Sequence, residues 1–509
     1  MTLVSRVLGL VRDVVIANVM GTGASADVFL FANKIPNFLR RLFAEGAFAQ
    51  AFVPVLSEFQ AVDEKEKTDT TRLLIAQVSG TLGVIVTLVT LFGVIASPLI
   101  VMIFGPGWFY DWLNDGPSSE KFDLAATLLK ITFPYLWFVS FTALSGAILN
   151  TMGRFAVAAF SPVLLNVCII GAAIYLSPQL SNPAYALAWG VFLGGLTQFL
   201  FQIPFLINAG VLVKPKWAWH AAGIVKIRQL IIPALFGVSV TQINLLLDTV
   251  IASVLITGSI SWLYYADRLL EFPLGLFGIG IATVILPSLS GLHARKNNHE
   301  FSDTIDWAIK VISLLGWPAL AGLMVLAQPI IMVLFMRGEF SQSDVLQVSF
   351  ALFAYLSGLM SFMLIKVLAP GYYARQDTKT PVKIGIKAML ANMVFNLILA
   401  PFLGYVGLAL ATTLSASLNA FLLYRGLKVQ GVYQLSLKTL MVILRLIVSA
   451  TFMAVVVFNL SPSFETWLTL SFLDQIQQLF ICISLGALSY FIAIMVLGIR
   501  LHHFHIKKH

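Results

Sequence analysis

Three clusters of ionisable side chains, eleven residues together, stand inside otherwise apolar stretches of this 509-residue sequence: Arg6, Arg12 and Asp13; Asp27, Lys34, Arg40, Arg41 and Glu45; and Asp267, Arg268 and Glu271. An ionisable group at mid-bilayer costs a few kcal/mol even on lenient insertion scales, so such residues face a cavity or one another. Five of the eleven are arginines. A guanidinium presents a planar fork of N–H donors that matches an oxyanion two bonds at a time, and it stays charged at any relevant pH. The chemistry suggested is capture of an anionic, phosphate-bearing group, with the five acids pairing some of the cations and holding them in place. Ion pairs that only bridge helices, or arginines snorkelling to the headgroups, are the competing readings.

A fainter polar group comprises Asn392 and Asn396, one helical turn apart, with Thr412 and Asp248. Oxygen ligands of this kind suit a hard monovalent cation or a proton relay, and plain inter-helix hydrogen bonding is the alternative. No catalytic constellation and no metal site is read from the sequence. Cys168 and Cys482 lie inside apolar runs, and the histidines lie outside them, which argues against a structural disulfide or a thiolate centre.

The elements that carry these groups follow from composition. Hydrophobic residues make up 59% of the chain and charged residues 11%, whereas a soluble domain carries about 25% charged residues. Apolar runs of about 20 residues recur, each long enough to cross a hydrocarbon layer of about 30 Å as a helix. A β-barrel would instead alternate apolar and polar residues. The fold class expected is an all-α integral membrane protein with spans near 2–20, 26–56, 73–104, 124–151, 155–176, 184–209, 224–256, 262–292, 304–327, 345–373, 381–403, 406–427, 437–460 and 475–499. The first apolar stretch holds Arg6, Arg12 and Asp13 and no small-residue cleavage pattern, so it reads as a retained helix.

Loop charges test this division, because Lys and Arg concentrate in cytoplasmic connections. Alternate loops carry Lys65, Lys67 and Arg72; Arg154; Lys214, Lys216, Lys226 and Arg228; Arg295 and Lys296; Arg375, Lys379, Lys383 and Lys387; Arg425, Lys428 and Lys438; and the tail Arg500, Lys507 and Lys508. Intervening loops are short or acidic, as at Asp111, Asp115, Glu120 and Asp123 against Lys121. Both termini are therefore expected in the cytoplasm. The net charge of +9 is explained by this topology and by the interior arginines, not by nucleic acid, which would need a basic face on a soluble module.

A weak internal repeat adds an organisation. FVPVLSEF around Pro54 resembles ILPSLSGL around Pro287, and FPYLWFVSF from Phe133 resembles FAYLSGLMSF from Phe353. Two homologous lobes are the mark of many transporters. The expected partition is 1–221 for an N-terminal lobe of six helices, 222–430 for a second, and 431–509 for two additional helices. At about 100° per residue, Asp27, Lys34, Arg41 and Glu45 fall within roughly 40° on one face of the second span. On the eighth, Ser261 and Arg268 share a face. Equivalence under the repeat predicts that the two stripes face each other, beside the first span.

At these residues the chain resembles the MviN/MurJ family of lipid II flippases, within the multidrug and polysaccharide exporter superfamily. The resemblance rests on SRVLGLVRD from Ser5, ADVFLFANKIPNFLRRLFAEGAFAQAFVPVLSE from Ala26, SWLYYADRLLEFPLGLFGIGIATVILPSLS from Ser261 and KVLAPGYYARQDTKTPVKI from Lys366. It implies a transporter carrying undecaprenyl-pyrophosphate-linked disaccharide pentapeptide, a lipid-linked anionic substrate, from the cytoplasmic to the periplasmic leaflet of the bacterial inner membrane. Arg6, Arg12 and Arg268 would grip the pyrophosphate; Asp13, Asp27, Arg40, Arg41, Glu45 and Ser261 would line the path or latch the lobes. The two C-terminal helices would form a groove for the lipid tail. No cofactor is implied, and coupling would draw on membrane potential, Na+ or H+, the last two through Asp248, Asn392, Asn396 and Thr412. The expected partners are membrane lipids and the cell-wall synthesis machinery, with the protein itself a monomer.

Two departures stand out. Family members generally begin about a dozen residues upstream, so the first helix is expected to be short at its cytoplasmic end, and some relatives carry a carboxylate where this chain has Asn396. Rival readings are an exporter of another lipid-linked oligosaccharide or of small molecules, and a membrane enzyme acting on polyprenyl phosphates. Arginine density opposes cationic drugs, and loops of about 20 residues leave little room for an enzyme's extramembrane portion.

Overall fold

The computed structural model describes residues 2–41, 47–60 and 64–500. Regular structure among them is helical throughout: α1 (Thr2–Met20), α2 (Ala24–Arg40), α3 (Ala47–Gln60), α4 (Glu64–Ile95), α5 (Ser97–Phe104), α6 (Pro106–Leu113), α7 (Ser119–Thr132), α8 (Tyr135–Thr151), α9 (Phe155–Gly171), α10 (Pro183–Asn208), α11 (Ala222–Ala252), α12 (Ser259–Pro273), α13 (Ile279–Ala294), α14 (Asn298–Phe335), α15 (Gln342–Leu356), α16 (Leu359–Tyr373), α17 (Lys379–Val429), α18 (Leu437–Leu460), α19 (Phe464–Thr469) and α20 (Phe472–Val496). Each predicted span falls on one of these helices or on a consecutive pair.

Among the described residues nine helices are long and apolar enough to cross a membrane, or ten if the bent pair α15 and α16 is one span. Several of the expected fourteen stand apart from that count for physical reasons. α1 has 19 residues but carries Arg6, Arg12 and Asp13, and α2 and α3 are shorter at 17 and 14 residues. α17 runs for 51 residues, roughly 77 Å at 1.5 Å per residue and more than twice the hydrocarbon thickness. It is broken at Gly404, whose φ of 58° and ψ of −136° are not helical. Glycine alone adopts that conformation cheaply, and it divides α17 where the sequence separates 381–403 from 406–427.

The chain forms two compact units: Met1–Ser261 with Arg337–Phe340, and Trp262–Met336 with Ser341–His509. In the first, α1 packs along α9, α10 lies against α8 and α9, and α11 packs on α3. Phe52, Val55 and Leu56 of α3, Leu74 and Val78 of α4, Ile148 of α8 and Ile227 of α11 build its buried apolar centre. The stretch after α10 straps onto α4: Lys216 donates its N–H to the Ala76 carbonyl at 2.7 Å. Gly80 permits this, since a Cβ there would sit 2.3 Å from the Lys216 backbone. The segment Arg337–Phe340 joins this unit through the Glu339 N–H, which donates to the Asn18 carbonyl at 3.0 Å.

In the second unit α18 packs on α14 and α20 on α18, with Leu326, Leu446, Met453, Val457, Cys482 and Tyr490 buried along the seam. A polar clasp fixes the start of α18. Asp306 of α14 accepts from Tyr433 Oη, from Ser436 Oγ at 3.0 Å and from Thr439 Oγ1 at 2.8 Å, while Ser436 caps the helix by accepting the Thr439 N–H at 3.1 Å. Burial, with the bonded Asp306 carboxylate behind it, pushes the Tyr433 hydroxyl far above its ordinary pKa.

Candidate functional site

In the first unit the most constrained cation is Arg12. Its Nη2 and Nε both donate to Asp13 Oδ1, at 2.7 and 3.0 Å, and its Nη1 donates to Asn166 Oδ1 of α9 at 3.1 Å. Asn166 in turn donates to the Ser5 carbonyl at 3.3 Å. The Asp13 side chain is 3% exposed and that of Arg12 17%. A guanidinium gripped on both flanks keeps one orientation, which is what a phosphate-binding fork requires. Arg6, one and a half turns earlier on α1, is exposed.

Asp27 is a fully satisfied carboxylate. It is 2% exposed, and it accepts the Gly258 N–H at 2.7 Å on Oδ2 and both the N–H and the hydroxyl of Ser261, at 2.9 and 2.7 Å, on Oδ1. Asp27 lies in the first turn of α2, and Gly258 and Ser261 flank the start of α12. A negative charge is favoured at both helix starts, where N–H groups lack intrahelical acceptors. Lys121 binds the same turn from another side, donating to Thr257 Oγ1 at 2.7 Å with its ammonium 5.7 Å from the centre of the Trp108 ring. Lys121 is 5% exposed, so it is a buried cation, where loop charge alone makes it a solvated one.

The rest of the second-span stripe divides. Lys34 donates to Thr249 Oγ1 of α11 at 3.2 Å. Arg40 donates from Nε to Asn37 Oδ1 at 3.1 Å, and Asn37 donates to Asn33 Oδ1 at 3.0 Å, so an amide ladder along α2 aims the guanidinium. Arg41, at the C-cap of α2, is exposed. Glu45 lies outside the described residues.

In the second unit Arg268 of α12 donates from Nη1 to Glu271 Oε2 at 2.8 Å, and its guanidinium carbon stands 4.9 Å from the Tyr264 ring centre. Side-chain exposures are 34% for Arg268 and 49% for Glu271. Asn392, Asn396 and Thr412 come together on the two segments of α17. Asn396 Nδ2 donates to Asn392 Oδ1 at 2.9 Å, and Asn392 Nδ2 reaches Thr412 Oγ1 at 3.5 Å. Both asparagines are fully buried. Asp248 belongs to α11 in the first unit. No cluster of three or more His, Cys, Asp or Glu suited to a metal ion occurs among the described residues.

Asn166 and Thr249 escape sequence reasoning aimed at formal charge, and Lys121 enters it only as a loop charge. Asn166 is a single amide in the apolar run SPVLLNVCIIG, and a polar residue in such a run is the available signal, since a buried amide must find partners. The Gly258 N–H has no side-chain signature at all.

Comparison with known proteins is consistent along the whole chain. The family model described as lipid II flippase MurJ matches residues 16–477. A probable lipid II flippase MurJ of Vibrio cholerae is 63% identical over 98% of this chain and 95% of its own, and one of Haemophilus influenzae is 58% identical with both chains covered completely. Among solved structures, a lipid II flippase MurJ in an inward closed conformation superposes with a TM-score of 0.78 at 28% identity, covering 97% of this chain and 96% of that one. A multidrug resistance MATE family transporter of the MOP superfamily, inward-facing, gives 0.69 at 14% identity, covering 84% and 94%, a likeness of fold.

Proposed function

The chain belongs to the lipid II flippase MurJ family, and from that premise we propose which of its residues carry the substrate. It is a multi-pass inner-membrane transporter that translocates lipid II to the periplasmic leaflet. Our reading is alternating access of two six-helix lobes, 1–221 and 222–430, with 431–509 as a tail groove and both termini cytoplasmic. Arg6, Arg12 and Arg268 bind the pyrophosphate, with Asp13 orienting Arg12. Asp27 and Ser261 form a latch, and Arg40, Arg41 and Glu45 line the path.

The observation that supports this best is the Arg12 fork, held by Asp13 and Asn166. Arg12→Ala and Arg268→Ala, with protein level monitored, are expected to lose translocation of the lipid-linked precursor. Normal translocation in either removes that residue from the site. Arg→Lys at the same positions separates geometry from charge: poor rescue follows if bidentate contact matters. For coupling, we propose that Na+ or H+ acts at Asn392, Asn396 and Thr412 with Asp248, membrane potential adding to the drive. Sodium dependence lost in Asn392→Ala supports it; dependence unchanged removes it. Monomeric action alongside the cell-wall machinery completes the proposal.

A further inference from the structure

We propose that the first unit holds a lipid site of its own, apart from the charged substrate residues: an apolar groove between α4 and α11 seating one acyl chain of an anionic phospholipid, with the phosphate on Arg228. Val78, Leu82, Ile85 and Val89 recur at helical spacing along α4 and face Ile227 and Ile231 of α11 across a cavity of about 180 Å³. From Val78 to Val89 the groove runs roughly 16 Å at 1.5 Å per residue, about half of the 30 Å hydrocarbon layer. One leaflet's tail fits that depth. Apart from Thr81 and Arg228 its lining is apolar, which suits an acyl chain and not a sugar-peptide headgroup.

The mouth of the groove names the headgroup charge. Arg228 lines it with its guanidinium carbon 4.6 Å from the Trp219 ring centre, and Trp219 stacks on Trp217 at 5.9 Å. Trp and Arg are the residues that settle where acyl chain meets headgroup. The neighbouring Lys226 is bonded to Glu58, whereas Arg228 pairs with no carboxylate among the described residues. Lys214 and Lys216 are exposed on the same connection, and no acid of that connection offsets them. Basic pockets of this kind, at the membrane face expected to be cytoplasmic, favour anionic headgroups. The strap that carries Trp219 is pinned to α4 by the Lys216 N–H on Ala76 and by the Ala218 N–H on Thr81 Oγ1 at 3.3 Å, so the mouth is built.

The test is native mass spectrometry of the delipidated full chain titrated with phosphatidylglycerol, phosphatidylcholine or glycerol phosphate. Phosphatidylglycerol should be retained over phosphatidylcholine, and glycerol phosphate should not bind. Arg228→Gln should weaken phosphatidylglycerol about fivefold, the share of one basic residue near an anionic surface, and Arg228→Lys should restore most of it. Leu82→Trp, which fills the groove, should weaken both lipids alike; a thermal unfolding curve for each variant separates loss of site from loss of fold. Equal retention of the two lipids, or Arg228→Gln binding as the parent does, would overturn the proposal. So would tight glycerol phosphate binding, which makes this a free-anion site, or preferential displacement by a polyprenyl phosphate, which makes it a substrate-tail site.

Discussion

The two units each hold an arginine paired with a carboxylate close in sequence, and the pairs differ in burial. Arg12 and Asp13 are 17% and 3% exposed, with Asn166 closing the far side; Arg268 and Glu271 are 34% and 49% exposed. An exposed ion pair contributes about 0–1 kcal/mol to stability. A buried one is expensive to form, and removing one partner leaves a charge without compensation. Removal of a partner should therefore cost more stability in the first pair than in the second, and under the proposed function a loss of translocation without a loss of stability is expected at Arg268.

The largest expected effect sharpens this contrast. Asp13→Ala removes the buried carboxylate beside Arg12 and should cost ~3–5 kcal/mol, read as a lower melting temperature in detergent and lower abundance in cells. A variant melting like the parent would show that the pair is not buried in the working protein. Next comes Asp27→Asn, which keeps size and shape but turns one acceptor oxygen into a donor facing the N–H of Gly258 or Ser261. Loss of a charge-assisted bond of that kind is worth ~1.5–3 kcal/mol, and translocation should fall with stability. Asp306→Asn is the control outside both pairs. It weakens the clasp at the start of α18 by ~1–2 kcal/mol, and a melting shift with translocation retained would keep the clasp structural.

Much of this was legible beforehand because the bilayer is a harsh solvent. An uncharged 20-residue run has few other fates, so the spans were readable, and the charges inside them stood out against that background. Arg12, Asp13 and Asp27 stand out singly as charges in apolar runs, and Ser261 stands out by sharing a face with Arg268 and by the family resemblance. What spacing could not convey was the choice of partner. The Arg12 fork is completed by Asn166, 154 residues away, and Asp27 is satisfied in part by a backbone N–H. Lys121 read as a loop charge because hydropathy averages over a window, whereas burial depends on Trp108 and Thr257 folding over one ammonium. The 51-residue α17 shows the reverse case, since the sequence separates 381–403 from 406–427 and the break at Gly404 falls between them.

The smallest expected effect tests the comparison most sharply. Glu271→Gln removes the carboxylate beside Arg268 but keeps a carbonyl oxygen able to accept from Nη1, so stability should change by less than ~1 kcal/mol. If Arg268 acts by its charge toward an oxyanion, the neutralised neighbour no longer competes for the guanidinium, and substrate should bind as tightly or more tightly. If Glu271 instead aims Arg268, translocation should fall in Glu271→Gln as far as in Arg268→Ala, with the melting temperature unmoved. Precursor binding and translocation measured in the same membranes distinguish these outcomes. The Tyr264 ring 4.9 Å from the guanidinium carbon favours the first, because a cation–π contact leaves the guanidinium oriented after the acid is gone.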